Sequence, residues 1–375
     1  MITTEQVRLA EYTTLRLGGP AAQFVSAASE DELVATVRAA DAEAEPVLVL
    51  GGGSNLVVAD EGFPGIVALA SWRGAVFATA GDAVEVTVQA GHDWDEFVQE
   101  CLAQGLSGVE CLSGIPGRAG ATPIQNVNAY GQDVADTISA VRVYDRLSDQ
   151  VVVMPCADCG FGYRTSVFKR QSAAAGRGAT LNPASATGRF VVLAVTFRLP
   201  LSPLSVPLRY GELSRVLGVA DGDRVPVAAA RAAVLELRRG KGMVLAAADP
   251  DTRSAGSFFT NPVVSSARYG ELAARLATEA GLDASAGIPH WPAADGQVKL
   301  SAAWLIEHAG FSKGWRLSGD PDGARISTKH ALALTNPGQA TTAGLIRLAR
   351  KIRAGVLDAF GVTLTNEPVL VGVEL

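Results

Sequence analysis

Cysteine and histidine are scarce, with four of each among 375 residues. Four cysteines are too few for a disulfide framework in a chain of this length. The stretch "CADC" (Cys156 and Cys159) has the C-x-x-C spacing of zinc and redox sites. A zinc site needs a second ligand pair, and Cys101 and Cys111 have no histidine pair near them. We therefore expect two small, half-buried residues at "CADC" and no metal.

Signatures of hydrolytic enzymes are weak. The G-x-S-x-G pattern occurs at 310–314 ("GFSKG"), but it follows a predicted helix and lacks the strand that precedes a nucleophile elbow, and no H-E-x-x-H helix motif occurs. The histidines His92, His290, His308 and His330 are scattered, which is more typical of surface or core residues than of ligands. The sequence does not indicate a hydrolase.

The chain has neither an excess of positive charge nor a long apolar run. Its net charge is −6 and its pI is about 5.4, which leaves no basic surface for nucleic acid. No uncharged apolar run reaches the roughly 18 residues of a membrane span. The first twenty residues scatter charge, unlike a signal peptide. We expect a cytoplasmic protein, a monomer or weak dimer, with no nucleic-acid partner and no membrane span.

Hydrophobic periodicity predicts a mixed α and β chain. Strands are predicted at 23–28, 46–50, 84–89, 139–145 and 189–199, and helices at 30–42, 93–105, 226–239, 264–280, 300–309 and 340–360. Ser29 and Glu32 form a capping-box pattern at the start of the first helix. The small, polar stretch 171–188 predicts a surface loop or flap, and 362–375 predicts an extended end. The change from strands to helices places a domain boundary near 200–220.

A glycine-rich loop follows the buried strand in "VLVLGGGSNLVV" (47–58). Consecutive glycine N–H groups can form an anion-binding nest that suits a pyrophosphate. The pattern is neither a Walker loop nor a Rossmann fingerprint, because Leu56 replaces the third glycine and the chain continues as a strand. A plain hairpin turn is the alternative at this point.

A second irregular segment, "SGIPGRAGATPIQNVNAYG" (113–131), is long for a compact protein, and long loops are usually functional. It offers backbone donors together with Thr122, Gln125, Asn126 and Asn128. Such a segment could surround a polar heterocycle and its phosphates, or form a structural Ω-loop. In "RSAGSFFTNP" (253–262), a single serine stands before two phenylalanines, where a small core or turn residue is the simplest interpretation.

Six motifs together carry a family resemblance. In order, they are "LGGGSN", "IPGRAGATPIQNVNAYG", "GYRTSVFK", "AGSFFTNP", "KLSAAWLIEHAGFSKG" and "LTNEPVLVG". In order and spacing the chain resembles the UDP-N-acetylenolpyruvoylglucosamine reductase family. The resemblance implies an α+β protein with the FAD-binding fold of the vanillyl-alcohol-oxidase (PCMH-like) class. It implies two FAD-binding subdomains, 1–68 (joined by 362–375) and 69–205, and an α+β substrate-binding domain, 206–361.

The activity that the resemblance implies is reduction of the enolpyruvyl ether of UDP-N-acetylglucosamine to UDP-N-acetylmuramate, a peptidoglycan precursor. NADPH is the implied reductant and non-covalent FAD the implied cofactor. Arg164 matches the position that stabilises the substrate carboxylate, beside Tyr163. Ser257 matches the proton donor to the carbanion-like carbon, and Glu367 matches the residue that polarises or protonates the carboxylate intermediate. Without the family, these would be a surface arginine, a turn serine and an edge-strand carboxylate.

Binding residues are implied in the same way. FAD would contact Gly51, Gly53, Ser54, Asn55, Gly120, Ala121, Thr122 and Gln125. The substrate would contact Tyr163, Tyr210, Arg238, Lys241, Asn261 and His308, of which His308 replaces a glutamine found in some members. Asn128 stands where the family motif usually has glycine, and asparagine tolerates left-handed backbone angles.

Two other interpretations remain open from the sequence. One is a flavin- or nucleotide-binding protein of the same fold without catalysis, against which the joint presence of Arg164, Ser257 and Glu367 argues. The other is an oxidase with flavin attached covalently through histidine. His92 is the only histidine in the first half, and "AGHDW" is more typical of a turn before a helix.

Overall fold

The computed structural model describes residues 2–3, 7–169, 182, 184–279, 287–320 and 323–375. It divides into two compact units. The first comprises Met1–Tyr12, Gly19–Gly53 and Glu61–Val244, and the second comprises Thr13–Gly18, Ser54–Asp60 and Leu245–Leu375. Among the described residues, no helix combines the length and apolar content that crossing a bilayer requires.

The strands, in chain order, are β1 Ile2–Thr3, β2 Ala21–Ala27, β3 Val47–Leu50, β4 Leu56–Val58, β5 Phe63–Ala70, β6 Ala75–Ala80, β7 Ala83–Gln89, β8 Asn128–Ala129, β9 Gln132–Asp133, β10 Ile138–Asp145, β11 Gln150–Pro155, β12 Phe190–Pro200, β13 Val263–Val264, β14 His290–Pro292, β15 Val298–Leu300, β16 Arg325–Ile326, β17 Leu334–Thr335 and β18 Val369–Val371. The α-helices are α1 Glu30–Ala42, α2 Trp94–Ala103, α3 Gly211–Leu217, α4 Val227–Gly240, α5 Ser266–Glu279, α6 Ala302–His308 and α7 Thr342–Phe360.

A small, largely parallel sheet opens the first unit, in the order β1-β2-β5-β3. Strands β2, β5 and β3 run parallel, and α1 connects β2 to β3. The Ser29 hydroxyl accepts from the Glu32 N–H at 3.1 Å and so caps α1, as the sequence predicts. Because β3 ends at Leu50, the glycine loop leaves the sheet at the carboxyl end of a parallel strand.

An antiparallel sheet, β11-β10-β12-β7-β6, forms the larger part of the first unit. Its apolar face packs on α2, where Trp94, Phe97 and Phe197 are fully buried and their rings lie 5.2–5.8 Å apart. Burial of three aromatic side chains fixes α2 on the sheet. The segment 107–127 continues from α2 along this core, since Val109, Leu112 and Ala119 are buried in it.

Helices α3 and α4 complete the first unit and share a small core of their own. Leu213 of α3 packs with Ala230 and Val234 of α4, together with Leu208 and Cys111. The carboxyl end of α4 therefore lies close to the start of the long loop.

The second unit is built around α7, whose buried residues include Leu345, Leu348, Ile352 and Val356. Phe258 and Phe259 are each 1% exposed in the same core. The strands of this unit form three small sheets, β13-β15-β14, β16-β17 and the parallel pair β18-β4.

Each predicted helix and strand has a counterpart in the structure within a few residues. Of the extended end at 362–375, only Val369–Val371 joins a sheet. Most of the predicted loop 171–188 lies outside the described residues. Its described end, 184–188, lies alongside β3. The Val49 N–H donates to the Thr187 hydroxyl at 2.6 Å, and the Val47 N–H donates to the Ser185 hydroxyl at 3.0 Å.

Candidate active site

The glycine loop after β3 touches another backbone directly. A Cβ atom placed on Gly52 would lie 2.6 Å from the Gly117 Cα, so no side chain fits there. Gly53 adopts a φ of 58°, in the left-handed region that favours glycine. No group in the described part of the chain accepts a hydrogen bond from the N–H of Gly52 or Gly53. These two N–H groups remain available to an anion, as the nest predicted from the sequence requires.

Ser54 and Asn55 follow in the second unit and are half-buried. The Asn55 carbonyl accepts from the Val369 N–H at 2.9 Å, where the pairing of β18 with β4 begins. The glycine loop therefore ends at the strand that follows Glu367.

The irregular segment 113–131 is equally close-packed at Gly120. A Cβ on Gly120 would lie 2.4 Å from the Ala90 Cβ, and the Gly120 N–H donates to the Ala90 carbonyl at 3.0 Å. Thr122 is buried and its hydroxyl donates to the Ala119 carbonyl at 2.7 Å. Ala121 is exposed between them. Around Gly120 the segment therefore offers backbone groups for binding, because the Thr122 hydroxyl is used within its own turn.

The start of this segment is fixed by an ion pair that links two helices. Both Arg231 terminal nitrogens donate to Asp95 at 2.7 Å, and the Gly114 N–H donates to the Asp95 carboxylate at 2.6 Å. Burial alone would raise the pKa of Asp95, but the hydrogen bonds from Arg231 and Gly114 outweigh it and the pKa lies below its ordinary value. Neither residue is among those selected from the sequence, because their pairing spans 136 positions.

Arg164 occupies the corner of a tight turn. Gly162 and Thr165 exchange two backbone hydrogen bonds, and Arg164 between them has a φ of 52°. A left-handed arginine is uncommon and is found where the surroundings impose it. The Arg164 guanidinium lies 6.0 Å from the ring of Tyr163, which is 46% exposed, and its Nη1 donates to the Asn128 carbonyl at 3.5 Å.

Lys169 connects this turn to the irregular segment 113–131. Its Nζ donates to the Gln125 side chain at 3.0 Å and to the Arg164 carbonyl at 3.3 Å. The Asn126 amide donates to the Gly162 carbonyl at 3.2 Å, from the other side of the turn. The predicted residues Arg164 and Gln125 are therefore brought together. Lys169 is the last residue of the "GYRTSVFK" motif, and its place in that motif is the only sequence signal that points to a role for it.

Asn128 does not use the backbone freedom of the glycine that it replaces. It lies in β8, and the left-handed residues of this segment other than glycine are Asn126 and Tyr130, with φ of 46° and 48°. The Asn128 side chain instead donates to Asp133 of the paired strand β9.

Ser257 and Glu367 lie on two paired segments of the second unit. The Glu367 N–H donates to the Phe258 carbonyl at 2.8 Å, and the Thr260 N–H donates to the Thr365 carbonyl at 3.0 Å. Gly256, with a φ of 72°, turns the chain just before Ser257. Ser257 and Glu367 are half-buried, while the phenylalanines that follow Ser257 are buried. The structure thus places two of the three predicted catalytic residues on neighbouring, hydrogen-bonded segments outside the regular strands, and Arg164 belongs to the first unit.

The other predicted substrate residues fall into two groups. Tyr210 is the residue before α3 and is 40% exposed, Arg238 lies in the last turn of α4, and Lys241 directly follows α4. In the second unit, the Asn261 side-chain oxygen accepts from the Ala302 N–H at 2.9 Å at the start of α6. His308 ends α6, with its ring stacked 3.7 Å from the Trp304 ring.

The cysteines are not reactive groups. Cys101, Cys111 and Cys159 are buried, Cys156 is half-buried, and all four are free thiols. Burial raises the pKa of Cys159 to about 12, which leaves almost no nucleophilic thiolate at neutral pH. Among the described residues, no group of three or more His, Cys, Asp or Glu side chains could bind a metal ion.

Comparison with known proteins gives consistent results along the whole chain. Residues 21–153 match the family model "FAD binding domain", and residues 249–371 match "UDP-N-acetylenolpyruvoylglucosamine reductase, C-terminal domain". The chain is 56% identical to the UDP-N-acetylenolpyruvoylglucosamine reductase of Thermobifida fusca over 98% of each chain. It is 55% identical to that of Salinispora arenicola, over 99% of this chain and 96% of the relative. A crystal structure of the Thermus caldophilus reductase is 27% identical and superposes with a TM-score of 0.60 over 99% of both chains.

The fold and these matches define an FAD-dependent oxidoreductase with the FAD-binding fold that the sequence predicts. Sequence identity above 50% to named reductases, along nearly the full length, narrows this class to one family. The chain belongs to the UDP-N-acetylenolpyruvoylglucosamine reductase family.

The residues present fit FAD. Gly52 and Gly120 leave no space for a side chain, and the N–H groups of Gly52 and Gly53 offer unused donors to a diphosphate. NADPH is the reductant that this FAD-dependent family uses. The division into three domains, the cytoplasmic location and the monomeric or weakly dimeric state stay predictions from the sequence.

Proposed function

We propose that this chain reduces the enolpyruvyl ether of UDP-N-acetylglucosamine to UDP-N-acetylmuramate, with Arg164, Ser257 and Glu367 acting on the reacting group. The observation that carries the proposal is the pairing of the Ser257 and Glu367 segments through the Glu367 N–H and the Phe258 carbonyl. Identity of 56% with a named reductase supports the substrate.

FAD, when bound, supplies the hydride-transfer chemistry between NADPH and the substrate. Its diphosphate would be bound by Gly51, Gly53, Ser54 and Asn55. The second segment would contribute Gly120, Ala121, Thr122 and Gln125.

The flavin is proposed to be non-covalent, because His92 is buried in contacts of its own. Its Nδ1 accepts from the Gly74 N–H at 3.2 Å, and its Nε2 lies 3.5 Å from Glu100. Flavin should therefore stay in solution when the protein is precipitated by acid.

Arg164 is proposed to bind the carboxylate of the enolpyruvyl group, where negative charge accumulates during reduction. A guanidinium is permanently charged and can donate two parallel hydrogen bonds to a carboxylate. The double hydrogen bond of the turn and the bond from Lys169 fix the Arg164 backbone before substrate arrives. Preorganised positive charge lowers the barrier because no reorientation is needed during the reaction.

Ser257 is proposed to donate its hydroxyl proton to the carbon next to the carboxylate. A serine hydroxyl is a weak acid, but an enolate carbon is basic enough to accept its proton at contact distance. The left-handed Gly256 gives a substrate close access to the backbone at this point. Glu367, on the paired segment, is proposed to polarise or protonate the carboxylate intermediate.

Substrate binding is proposed to involve Tyr163, Tyr210, Arg238, Lys241, Asn261 and His308. Arg238 and Lys241 supply positive charge for the diphosphate of the sugar nucleotide. His308 offers a ring already stacked on Trp304, with its Nδ1 held 2.8 Å from the Trp304 carbonyl. The Asn261 oxygen is already used at α6, so its amide group is the part proposed to donate to substrate.

The Ser257→Ala variant separates the two half-reactions. We expect NADPH to bleach its flavin at the wild-type rate, while reoxidation by the enolpyruvyl substrate slows by about 10²–10⁴-fold, as for loss of a general acid. Stopped-flow absorbance under anaerobic conditions measures both rates. Thr260→Val, which removes a hydroxyl from the same segment, should reoxidise normally. Normal reoxidation of Ser257→Ala would refute the assignment of Ser257.

A further inference from the structure

Two cations at the end of α4 have different surroundings. Arg238 donates from Nη2 to the Met243 carbonyl at 2.9 Å, while its buried Nε has no acceptor in the described part of the chain. Burial lowers the pKa of Arg238 to about 10. No carboxylate among the described residues lies within 4.0 Å of its nitrogens. Arg238 is half-buried, and a guanidinium with a buried nitrogen and no anionic partner has the properties of an anion-binding group.

Lys241, only three residues further, already has an anionic partner. Its Nζ lies 2.6 Å from the Glu212 carboxylate, and each side chain is 31% exposed. The same Nζ lies 5.7 Å from the centre of the Tyr130 ring, which packs edge-on against the Tyr210 ring at 5.3 Å. The charge of Lys241 is therefore largely neutralised inside the protein.

We propose that Glu212 is an internal counter-ion of Lys241, which occupies the lysine in the absence of ligand and lowers the affinity for the substrate diphosphate. The inference rests on the proposed function, in which Lys241 and Arg238 contact that diphosphate. A phosphate oxygen and the Glu212 carboxylate compete for the same ammonium hydrogens, and the two anions repel each other at close range.

The geometry permits this exchange. The ion pair of Lys241 and Glu212 is about one-third exposed, and such a pair is weak enough to be broken by a phosphate that binds Lys241, in contrast to a buried pair. Arg238 would supply the uncompensated charge that attracts the anion first, and Lys241 would then leave Glu212. Glu212 lies in the first turn of α3, two positions after Tyr210. Release of Glu212 therefore also removes a link between the Tyr210 segment and the end of α4.

The test is the dissociation constant of UDP for the FAD-loaded protein, measured by titration calorimetry. Glu212→Gln keeps the size of the side chain and removes its charge. We expect the variant to bind UDP about two- to fivefold more tightly, the equivalent of one partly exposed ion pair. Glu236→Gln is the matched control, since Glu236 is exposed on α4 and its loss changes the net charge equally. We expect no change in UDP affinity for this control.

Repeating the Glu212→Gln measurement in a Lys241→Met protein tests whether Glu212 acts through Lys241. Lys241→Met should weaken UDP binding, and adding Glu212→Gln to Lys241→Met should then have no effect, because the competition is gone. If Lys241→Met binds UDP as the wild type does, the proposed contact between Lys241 and the diphosphate is wrong. If Lys241→Met weakens binding but Glu212→Gln leaves it unchanged or weakens it, only the counter-ion inference is overturned. Flavin absorbance and melting temperature report that each variant is folded.

Discussion

Single glycines decide whether the cofactor site can form. The sequence predicts an anion-binding nest at 51–55, because three glycines follow a buried strand. It could not predict that Gly52 touches Gly117, since the two are 65 positions apart and meet only in the folded chain. Asn128 replaces a glycine of the family motif, yet the non-glycine residues with left-handed backbone in this segment are Asn126 and Tyr130, two positions away on either side.

Gly52→Ala should impair FAD binding. The added Cβ would lie 2.6 Å from the Gly117 Cα, so one of two backbones must move. Overpacking of this kind costs about 1–3 kcal/mol, and we expect FAD to bind about tenfold more weakly or worse. Fluorescence titration of the apoprotein with FAD measures the affinity. Gly270→Ala in α5, where nothing lies within 4 Å, should bind FAD normally. Unchanged FAD affinity in Gly52→Ala would contradict the proposed nest.

At the scale of elements, periodicity predicts every α-helix of the structure except the short α3, and it predicts strands β2, β3, β7, β10 and β12. It does not predict β11, which is exposed along nearly its whole length and so has no buried face to mark it. The link between α2, α4 and the long loop was not predictable, since Asp95 and Arg231 look like ordinary solvent-exposed charges on amphipathic helices. The same limit applies to Glu212 and Lys241, which meet through the packing of α3 against α4.

Asp95→Asn should destabilise the first unit. The ion pair with Arg231 is mostly buried, with side-chain exposures of 27% and 16%, and the Gly114 N–H also depends on the carboxylate. We expect the free energy of unfolding to fall by about 1–3 kcal/mol. Urea denaturation measures it. Glu96→Gln breaks an exposed pair with Arg73 and should cost under about 1 kcal/mol. Equal losses in the two variants would show that the Asp95 link carries no special stability.

The Asp95 contribution should also depend on pH in a defined direction. The pKa of Asp95 in the folded chain lies below its ordinary value of 3.8, so its carboxylate stabilises the fold at neutral pH. That stabilisation begins to disappear as the pH falls below about 3.8 and is lost as the pH passes the lower, folded value. The difference in melting temperature between wild type and Asp95→Asn should therefore be constant from pH 7 to pH 5 and shrink on further acidification. A difference that grows at low pH would contradict the assignment.

At the scale of the whole molecule, six ordered motifs identified the family, since each marks a place with its own backbone or charge requirement. Their order extends from the glycine loop to the last strand, and the relatives match over 98% of the chain. The two compact units reflect contacts that motifs do not report. Residues 13–18 and 54–60 belong to the second unit although both neighbouring stretches of chain belong to the first.

Anaerobic flavin absorbance of the purified protein shows whether one chain performs both half-reactions of the reductase. NADPH is added first, and then the enolpyruvyl ether of UDP-N-acetylglucosamine. We expect bleaching by NADPH and full recovery of the flavin spectrum with one equivalent of UDP-N-acetylmuramate formed. A flavin that bleaches but does not recover with this substrate would contradict the proposed function.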